Sequence, residues 1–194
     1  CRPFSADRDG LVLGEGAAIF VLESESHARR RGAHIWAEVL GYGASSDGHH
    51  IAQPTPGGPA RAMQKALTSA SLEPSQIDYI NAHGTATQLN DKIETAAIKV
   101  VFGRRAYSIP VVGNKAAFGH AMGASGALEL ASCILTLRDQ LLPPTLNRAV
   151  PDPECDLDYV TEGQRAHGVR YAMSNSFAFG GSNAALIVAR HDPA

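Results

Sequence analysis

Residues 109–126 read IPVVGNKAAFGHAMGASG, and this stretch decides the fold that we expect. It opens on a short apolar run of the kind found in buried strands, and Gly and Ala then dominate. We predict that a strand over 109–113 passes directly into a long helix that continues to about Arg138, whose small side chains let it lie close to other backbone. Two basic residues, Lys115 and His120, interrupt the uncharged part of the stretch and need an explanation.

Around this stretch, short apolar runs alternate with helical patterns. Residues 77–81 are predicted as a buried strand. The helix that follows is predicted to begin at the capping-box pair Asp91 and Glu94 and to end at Gly103. The last two predicted strands cover 169–175 and 183–189. The order from residue 77 onward is therefore β-α-β-α-β-β, which predicts an α/β fold with a mixed sheet, parallel first strands and helices packed on it.

The first third of the chain has a different pattern. Residues 11–22 and 34–40 have the apolar character of strands on either side of a short helix over 24–32. A second helix is predicted to begin at about Pro59, which suits a first helical turn, and to stop at Pro74, because apolar residues recur between them at helical spacing. Later in the chain, residues 141–156 are rich in proline, so we expect an irregular loop there.

Composition excludes several classes of protein. The 194 residues suffice for one compact body, and 44% hydrophobic and 19% charged residues are typical of globular proteins. The net charge of −2 argues against a nucleic-acid partner. Three cysteines are too few for a disulfide framework, and residues 1–10 lack the apolar core of a signal peptide. The expected location is therefore the cytoplasm, or an organellar matrix in a eukaryote.

A membrane span is not expected either. Residues 116–137 contain only His120 and Glu129 as ionisable groups. However, an acidic residue in mid-span costs about 2.5–3.5 kcal/mol, and Gly, Ser and His add little apolar transfer energy. A helix buried inside the protein is the better interpretation.

Polar side chains cluster where three of the predicted strands end. The segments are NAHGTAT (81–87), NKAAFGH (114–120) and SNSFAFGGSN (174–183). Open α/β sheets usually keep their functional sites at this edge. We therefore expect His83, Lys115 and His120 to share one neighbourhood. The alternative is that each histidine is an ordinary hydrogen-bonded loop residue.

Other kinds of site fit these residues less well. A metal site would have to use His49, His50, His83 and His120, but no pair has the helical spacing of metal ligands and no Cys or carboxylate completes the set, so no metal is expected. The G-x-S-x-G elbow of a serine hydrolase does not occur in the sequence. GYGASS (41–46) lacks the third Gly of a dinucleotide fingerprint.

Two histidines without a nucleophile suit electrophilic chemistry instead. Neutral imidazoles donate N–H hydrogen bonds to a carbonyl oxygen that becomes an enolate. A nearby ammonium group, such as that of Lys115, favours the neutral form of an imidazole. The pattern therefore indicates stabilisation of a developing oxyanion.

Four motifs, taken together, resemble a known family. They are RDGLVLGEGAA (8–18), NAHGTAT, NKAAFGH and NSFAFGGSN (175–183), and they follow one another along essentially the whole chain. In this order they resemble the later half of a β-ketoacyl-(acyl carrier protein) synthase of the elongating type. The resemblance implies a thiolase-like fold, in which two similar halves sandwich buried helices between sheets. It makes residues 1–32 the tail of the N-terminal half and residues 33–194 the C-terminal half-domain.

The resemblance also implies an activity. Such synthases load an acyl chain on a cysteine, decarboxylate a malonyl thioester and join the two by Claisen condensation, in fatty acid or polyketide synthesis. No cofactor is implied beyond the phosphopantetheine of acyl carrier protein, which carries the substrates. The implied site residues are His83 and His120, which hold the malonyl thioester oxygen, Lys115 with its acidic partner Glu129, Thr85 and Thr87, which bond the pantetheine arm, and Phe179, which gates the acyl pocket.

The nucleophile is the main departure from the family. The family's cysteine lies well upstream of residue 1, and none of Cys1, Cys133 and Cys155 matches it, so we expect the chain alone to be inactive. Two smaller departures are Phe118, where the family usually has a hydroxyl residue, and Ala178, which replaces a Gly between two phenylalanines.

Several partners follow from the resemblance. They are acyl carrier protein, the N-terminal half of the same synthase and, in the full-length protein, a second copy in a homodimer. An alternative function is a non-catalytic scaffold subunit of the same fold, similar to a chain-length factor. A third hypothesis, an autonomous binding module, predicts cooperative unfolding of the isolated chain.

Overall fold

A mixed five-stranded sheet forms the centre of the computed structural model, which describes residues 1–50 and 53–192. Short 3-10 turns link several of the elements. In chain order the elements are α1 (Glu25–Arg30), β1 (Glu38–Ser46), α2 (Gly57–Ala70), β2 (Tyr79–Asn81), α3 (Gln88–Phe102), β3 (Val111–Val112), α4 (Lys115–Phe118), α5 (Ser125–Asp139), β4 (Leu141–Leu142), β5 (Arg165–Ala166), β6 (Tyr171–Ala178) and β7 (Ser182–Ala189).

The strand order of the sheet is β1-β7-β6-β2-β3. Strand β2 runs parallel to β3 and to β6, whereas β7 is antiparallel to both β6 and β1. The predicted mixed sheet with parallel first strands is confirmed. Because β2, β3 and β6 point the same way, their carboxyl ends meet at one edge of the sheet.

Strands β2, β6 and β7 are buried on both faces, and successive side chains of a strand point to opposite faces. Ile80, Met173 and Ile187 pack with residues of α2 and α3 in one apolar cluster. Their neighbours Tyr79, Ala172 and Val188 pack on the other face, with Cys133 and Leu137 of α5. The sheet therefore lies between two layers of helix. One side of α5 is buried against it, and the opposite side includes the half-exposed Leu135.

Glycines let α2 lie directly against β1. A Cβ on Gly43 would come within 2.1 Å of the Ala62 carbonyl oxygen and 2.5 Å of the Ala66 nitrogen, and a Cβ on Gly41 within 2.4 Å of the Ala66 carbonyl oxygen. The glycines of GYGASS thus serve helix packing. The spacing of these glycines is therefore explained by helix packing, and no dinucleotide-binding loop is needed to account for it.

We expect Gly43→Ala to lower the free energy of unfolding by about 3 kcal/mol, because the added methyl group forces α2 away from the sheet. Urea unfolding followed by circular dichroism measures the change. Gly168→Ala is the matched control, since a Cβ there meets nothing within 4 Å. Equal midpoints for the two variants would contradict the packing argument.

The strand predicted over 11–22 is wrong. Within the described residues this segment forms only one isolated bridge, between Leu13 and His120, and Ile19 is 93% exposed. A strand needs a partner for its backbone hydrogen bonds, and apolar side chains alone do not supply one. The strand predicted over 34–40 is displaced, because β1 begins at Glu38.

The continuous helix predicted from 114 to about 138 is also wrong. Helix α4 ends at Phe118, Gly119 has a φ of +76°, and α5 begins only at Ser125. At the break the chain meets an earlier segment: the His120 N–H donates to the Val12 carbonyl at 2.7 Å. The interruption places His120 on a loop instead of a helix.

The proline-rich segment 141–156 is largely irregular, as predicted. Its first two residues are the exception, because β4 pairs with β5 in a small antiparallel sheet. Every helix within residues 1–50 and 53–192 is too short or too polar to traverse a lipid bilayer.

Candidate active site

The loops that follow β2, β3 and β6 line one cavity of about 980 Å³. His83 and His120 both lie in its wall, as do Thr85, Thr87 and Phe179. Lys115 lies behind His83 and is completely buried. The sequence predicted that His83, Lys115 and His120 converge, and the strand topology brings these three side chains together.

Lys115 is held by three groups. Its Nζ lies 3.2 Å from His83 Nδ1, donates to the His83 carbonyl oxygen at 2.6 Å and forms a short ion pair with Glu129. Both members of this pair are fully buried. Burial raises the pKa of Glu129 to about 7, and the ammonium of Lys115 opposes that rise. The predicted partnership of Lys115 and Glu129 is present in the structure.

His83 has only one tautomer compatible with this neighbour. An ammonium group has donors and no acceptor, so His83 Nδ1 accepts and the proton of the neutral ring lies on Nε2. Burial lowers the pKa of His83 well below its usual value, and the charges of Lys115 and then of His120 lower it further. The ring is therefore neutral at physiological pH.

His120 is fixed in the same tautomer by different groups. The backbone N–H of Met122 donates to His120 Nδ1 at 3.1 Å, so that nitrogen is an acceptor. The Ser125 hydroxyl lies 2.9 Å from the same atom. Partial burial, followed by the charge of Lys115, lowers the pKa of His120. Its proton too lies on Nε2.

The two imidazoles form a pair of donors. Their ring centroids are 5.5 Å apart and the planes are nearly perpendicular, at 88°. Among the described residues, neither Nε2 has a hydrogen-bond partner. Two neutral N–H groups that face one cavity and lack other partners can hold a single oxygen as it gains negative charge.

The other predicted residues lie around the same cavity. The Thr85 and Thr87 hydroxyls are 2.9 Å apart, and Thr87 also caps the first turn of α3. Phe179 is 75% exposed at the rim. Phe177, which sequence reasoning passed over, is buried and packs against His83 with the ring centroids 5.6 Å apart.

Asp91 and Glu94 do not form the predicted capping box. Helix α3 begins at Gln88, so both carboxylates lie inside it, fully buried. Glu94 accepts the backbone N–H groups of His83 and Gly84, at 2.8 and 2.9 Å. Asp91 accepts that of Ala86, at 3.2 Å. Both acids therefore fix the loop over residues 82–87, which carries His83. Asp91 and Glu94 lie on the same helix face as the buried Ile98, and this spacing in the sequence could have indicated that they are buried.

The charge of Glu94 gives a pH prediction. Burial raises the pKa of Glu94 from 4.5 to about 7. The folded state therefore binds the proton more tightly than the unfolded state, and stability falls as pH rises from about 4.5 to about 7. We expect Glu94→Gln to reduce this fall, which urea unfolding at several pH values measures. An unchanged slope of stability against pH would contradict the assignment.

The cysteines lie away from this chemistry. Cys133 and Cys155 are buried, and burial raises the pKa of their thiols to about 12 and about 11. The Cys1 sulfur lies beside the backbone of Val12. Of the residues that the structure describes, no cysteine is part of the cavity wall.

Comparison with known proteins agrees with this geometry. Residues 36–149 match the family described as beta-ketoacyl synthase, C-terminal domain. Nodulation protein E of Rhizobium meliloti is 51% identical over 186 residues, which cover 96% of this chain and 46% of that protein. The 3-oxoacyl-[acyl-carrier-protein] synthase 2 of Staphylococcus aureus is 47% identical over 189 residues, with coverage of 96% and 47%.

Solved structures share the architecture. The structure of the ishigamide ketosynthase/chain length factor superposes with a TM-score of 0.95 at 46% identity, and the match covers 98% of this chain and 47% of that one. The thiolase-like fold expected from the sequence motifs is confirmed. The chain spans about half the length of the curated relatives that it matches.

Proposed function

Because the chain belongs to the β-ketoacyl synthase family, we propose that it supplies the decarboxylation half of a condensing site. A malonyl thioester, carried on the phosphopantetheine of an acyl carrier protein, enters the cavity with its thioester oxygen towards His83 and His120. One observation carries the proposal: each ring uses its Nδ1 as an acceptor, which leaves two Nε2–H donors in the wall of the same cavity.

Decarboxylation places negative charge on the thioester oxygen. When the bond between the carboxylate carbon and the α-carbon breaks, carbon dioxide leaves and the electron pair moves into an enolate. Two N–H donors bind the enolate oxygen more strongly than the neutral carbonyl oxygen, so they lower the barrier. The lowered pKa values of His83 and His120 suit this role, because it requires neutral rings.

The remaining residues support the two histidines. Burial keeps His83 neutral, and Lys115 adds to this effect on its pKa and sets its tautomer. Glu129 balances the charge of that buried ammonium. Thr85 and Thr87 hydrogen-bond the amides of the pantetheine arm. Phe179, exposed at the rim, gates the acyl pocket.

Condensation needs a group from outside the 194 residues. The enolate carbon attacks an acyl thioester on a cysteine, a carbon–carbon bond forms, and the carbon–sulfur bond breaks to release the thiolate. We assign that cysteine to the N-terminal half of the full-length protein. Residues 1–32 are the tail of that half, and residues 33–194 are the C-terminal half. The full-length protein acts on acyl carrier protein as a homodimer, and the chain alone is inactive in condensation.

The site favours an enzyme over a scaffold similar to a chain-length factor. A subunit that only shapes an acyl tunnel has no need for a fully buried ammonium group. Burying Lys115 and Glu129 removes two charges from water, which costs several kcal/mol per ion before their attraction offsets it. The buried Lys115–Glu129 pair is explained by the effect of Lys115 on the tautomer and the pKa of His83.

Release of labelled carbon dioxide from malonyl-carrier protein tests the proposal. The full-length protein should release labelled carbon dioxide. When carrier protein loaded with an acyl chain is added, the enolate should react to give a β-ketoacyl product. A full-length protein that folds and binds carrier protein but releases no carbon dioxide would contradict the enzyme and favour the scaffold.

A further inference from the structure

Ala86 is a strained residue between the two cavity-lining threonines. Its φ is +64°, in the left-handed region that residues with a Cβ rarely adopt, and its side chain is completely buried. Such a conformation persists only where the surroundings hold it in place. A restraint from the surroundings must therefore hold the turn at Ala86, which sets the positions of Thr85 and Thr87, whose hydroxyls are hydrogen-bonded to each other at 2.9 Å.

Besides Asp91, which accepts the Ala86 N–H, an earlier part of the chain supplies that restraint. The Gly10 N–H donates to the Ala86 carbonyl at 3.0 Å. The Arg8 guanidinium donates from Nε to the Thr87 carbonyl at 3.1 Å and from Nη2 to the Gln88 carbonyl at 3.0 Å. The Gln88 side chain returns a hydrogen bond to the Arg8 carbonyl. The carbonyl groups of three consecutive residues, 86–88, are thus held by hydrogen bonds from residues 8–10.

Arg8 is itself anchored from its other side. Its Nη1 donates to the Ser5 carbonyl at 2.8 Å and to the Asp152 carboxylate, and Asp91 lies 3.8 Å from its Nε. The residue is 1% exposed and is not among those that line the cavity. A planar guanidinium presents its donors in a fixed fork, so anchoring one side orients the other.

We propose that Arg8 is a positioning residue for substrate binding: it holds the strained turn at Ala86 so that the Thr85 and Thr87 hydroxyls face the amides of the thioester's pantetheine arm. The inference rests on the proposed function and adds to it a residue that never touches the substrate. It predicts an effect on binding of the arm and not on the decarboxylation step.

Two variants of the full-length protein separate positioning from stability. Arg8→Lys keeps a cation beside Asp152 but loses the fork that reaches the two carbonyls. Its KM for malonyl-pantetheine should rise about five- to tenfold, as expected for the loss of one hydrogen bond, with kcat unchanged. Arg165→Lys is the matched control, because it removes the fork that Arg165 presents to Asp158, and Arg165 does not line the cavity. It should lower the urea midpoint of unfolding without a change in KM.

A second substrate localises the effect. Malonyl S-ethyl thioester has no amide for the threonines, so its KM should be the same in Arg8→Lys as in the wild type. Should Arg8→Lys fail to fold, Gly10→Ala provides the test: Gly10 has a φ of +126° and open space around it, and the variant should show a smaller rise confined to the pantetheine substrate.

Three results would overturn the inference. They are an unchanged KM for malonyl-pantetheine in the variant that folds, an equal rise for both substrates, and a rise in Arg165→Lys that matches the rise in Arg8→Lys. A wild-type protein that decarboxylates neither thioester would instead refute the proposed function itself. The two failures are therefore distinguishable.

Discussion

Replacing His120 or His83 with alanine in the full-length protein is expected to lower the rate of malonyl-thioester decarboxylation by about 100- to 1000-fold, the usual effect of removing one oxyanion donor. Both rings present Nε2–H to the cavity, and their tautomers are fixed by Met122 and Lys115. The loss should fall on kcat, because the donors act more strongly on the enolate than on the ground-state carbonyl. Release of labelled carbon dioxide under single-turnover conditions measures it.

Glutamine at either position tests the chemical role. Its side-chain amide restores an N–H donor, so His120→Gln should retain more activity than His120→Ala. His27→Ala removes an exposed histidine of α1 and serves as the control for a general loss of imidazole. Wild-type rates in His83→Ala and His120→Ala would refute the assigned roles.

Lys115→Met is expected to lower both stability and activity. The substitution leaves Glu129 buried without its cation, and breaking a buried ion pair from one side costs about 3–5 kcal/mol. It also removes the ammonium that faces His83 Nδ1, so the ring loses its fixed tautomer and its pKa rises. Urea unfolding measures the first effect and decarboxylation the second.

A double variant separates these two effects. Lys115→Met with Glu129→Leu replaces both charges by apolar groups of similar size, which is often close to neutral for stability. The double variant should therefore recover most of the unfolding free energy but not the decarboxylation rate. If activity returned together with stability, Lys115 would have no role beyond packing.

The sequence was sufficient where the pattern was local and periodic. Short apolar runs at 77–81 and 109–113 predicted parallel strands, and the polar segments after them then had to meet at one edge. His83, Lys115 and His120 could be placed in one neighbourhood on that ground alone. The family resemblance added the pairing of Lys115 with Glu129, which the structure contains.

What the sequence could not give depends on contacts between distant segments. The break at Gly119 arises from a backbone hydrogen bond between His120 and Val12, more than a hundred residues away, and no local pattern reports it. Asp91 and Glu94 have the spacing of a cap, but tertiary contacts bury them. In the same way, residues 11–22 are apolar enough for a strand, yet within the described chain only Leu13 finds a β-bridge partner.

The most direct test of the central claim is a crystal structure of the full-length protein with a non-hydrolysable malonyl-pantetheine analogue. We expect one carbonyl oxygen, equivalent to the thioester oxygen, to lie about 2.7–3.2 Å from Nε2 of both His83 and His120, with the arm against Thr85 and Thr87. An oxygen held by other donors, with either imidazole turned away from it, would contradict the account.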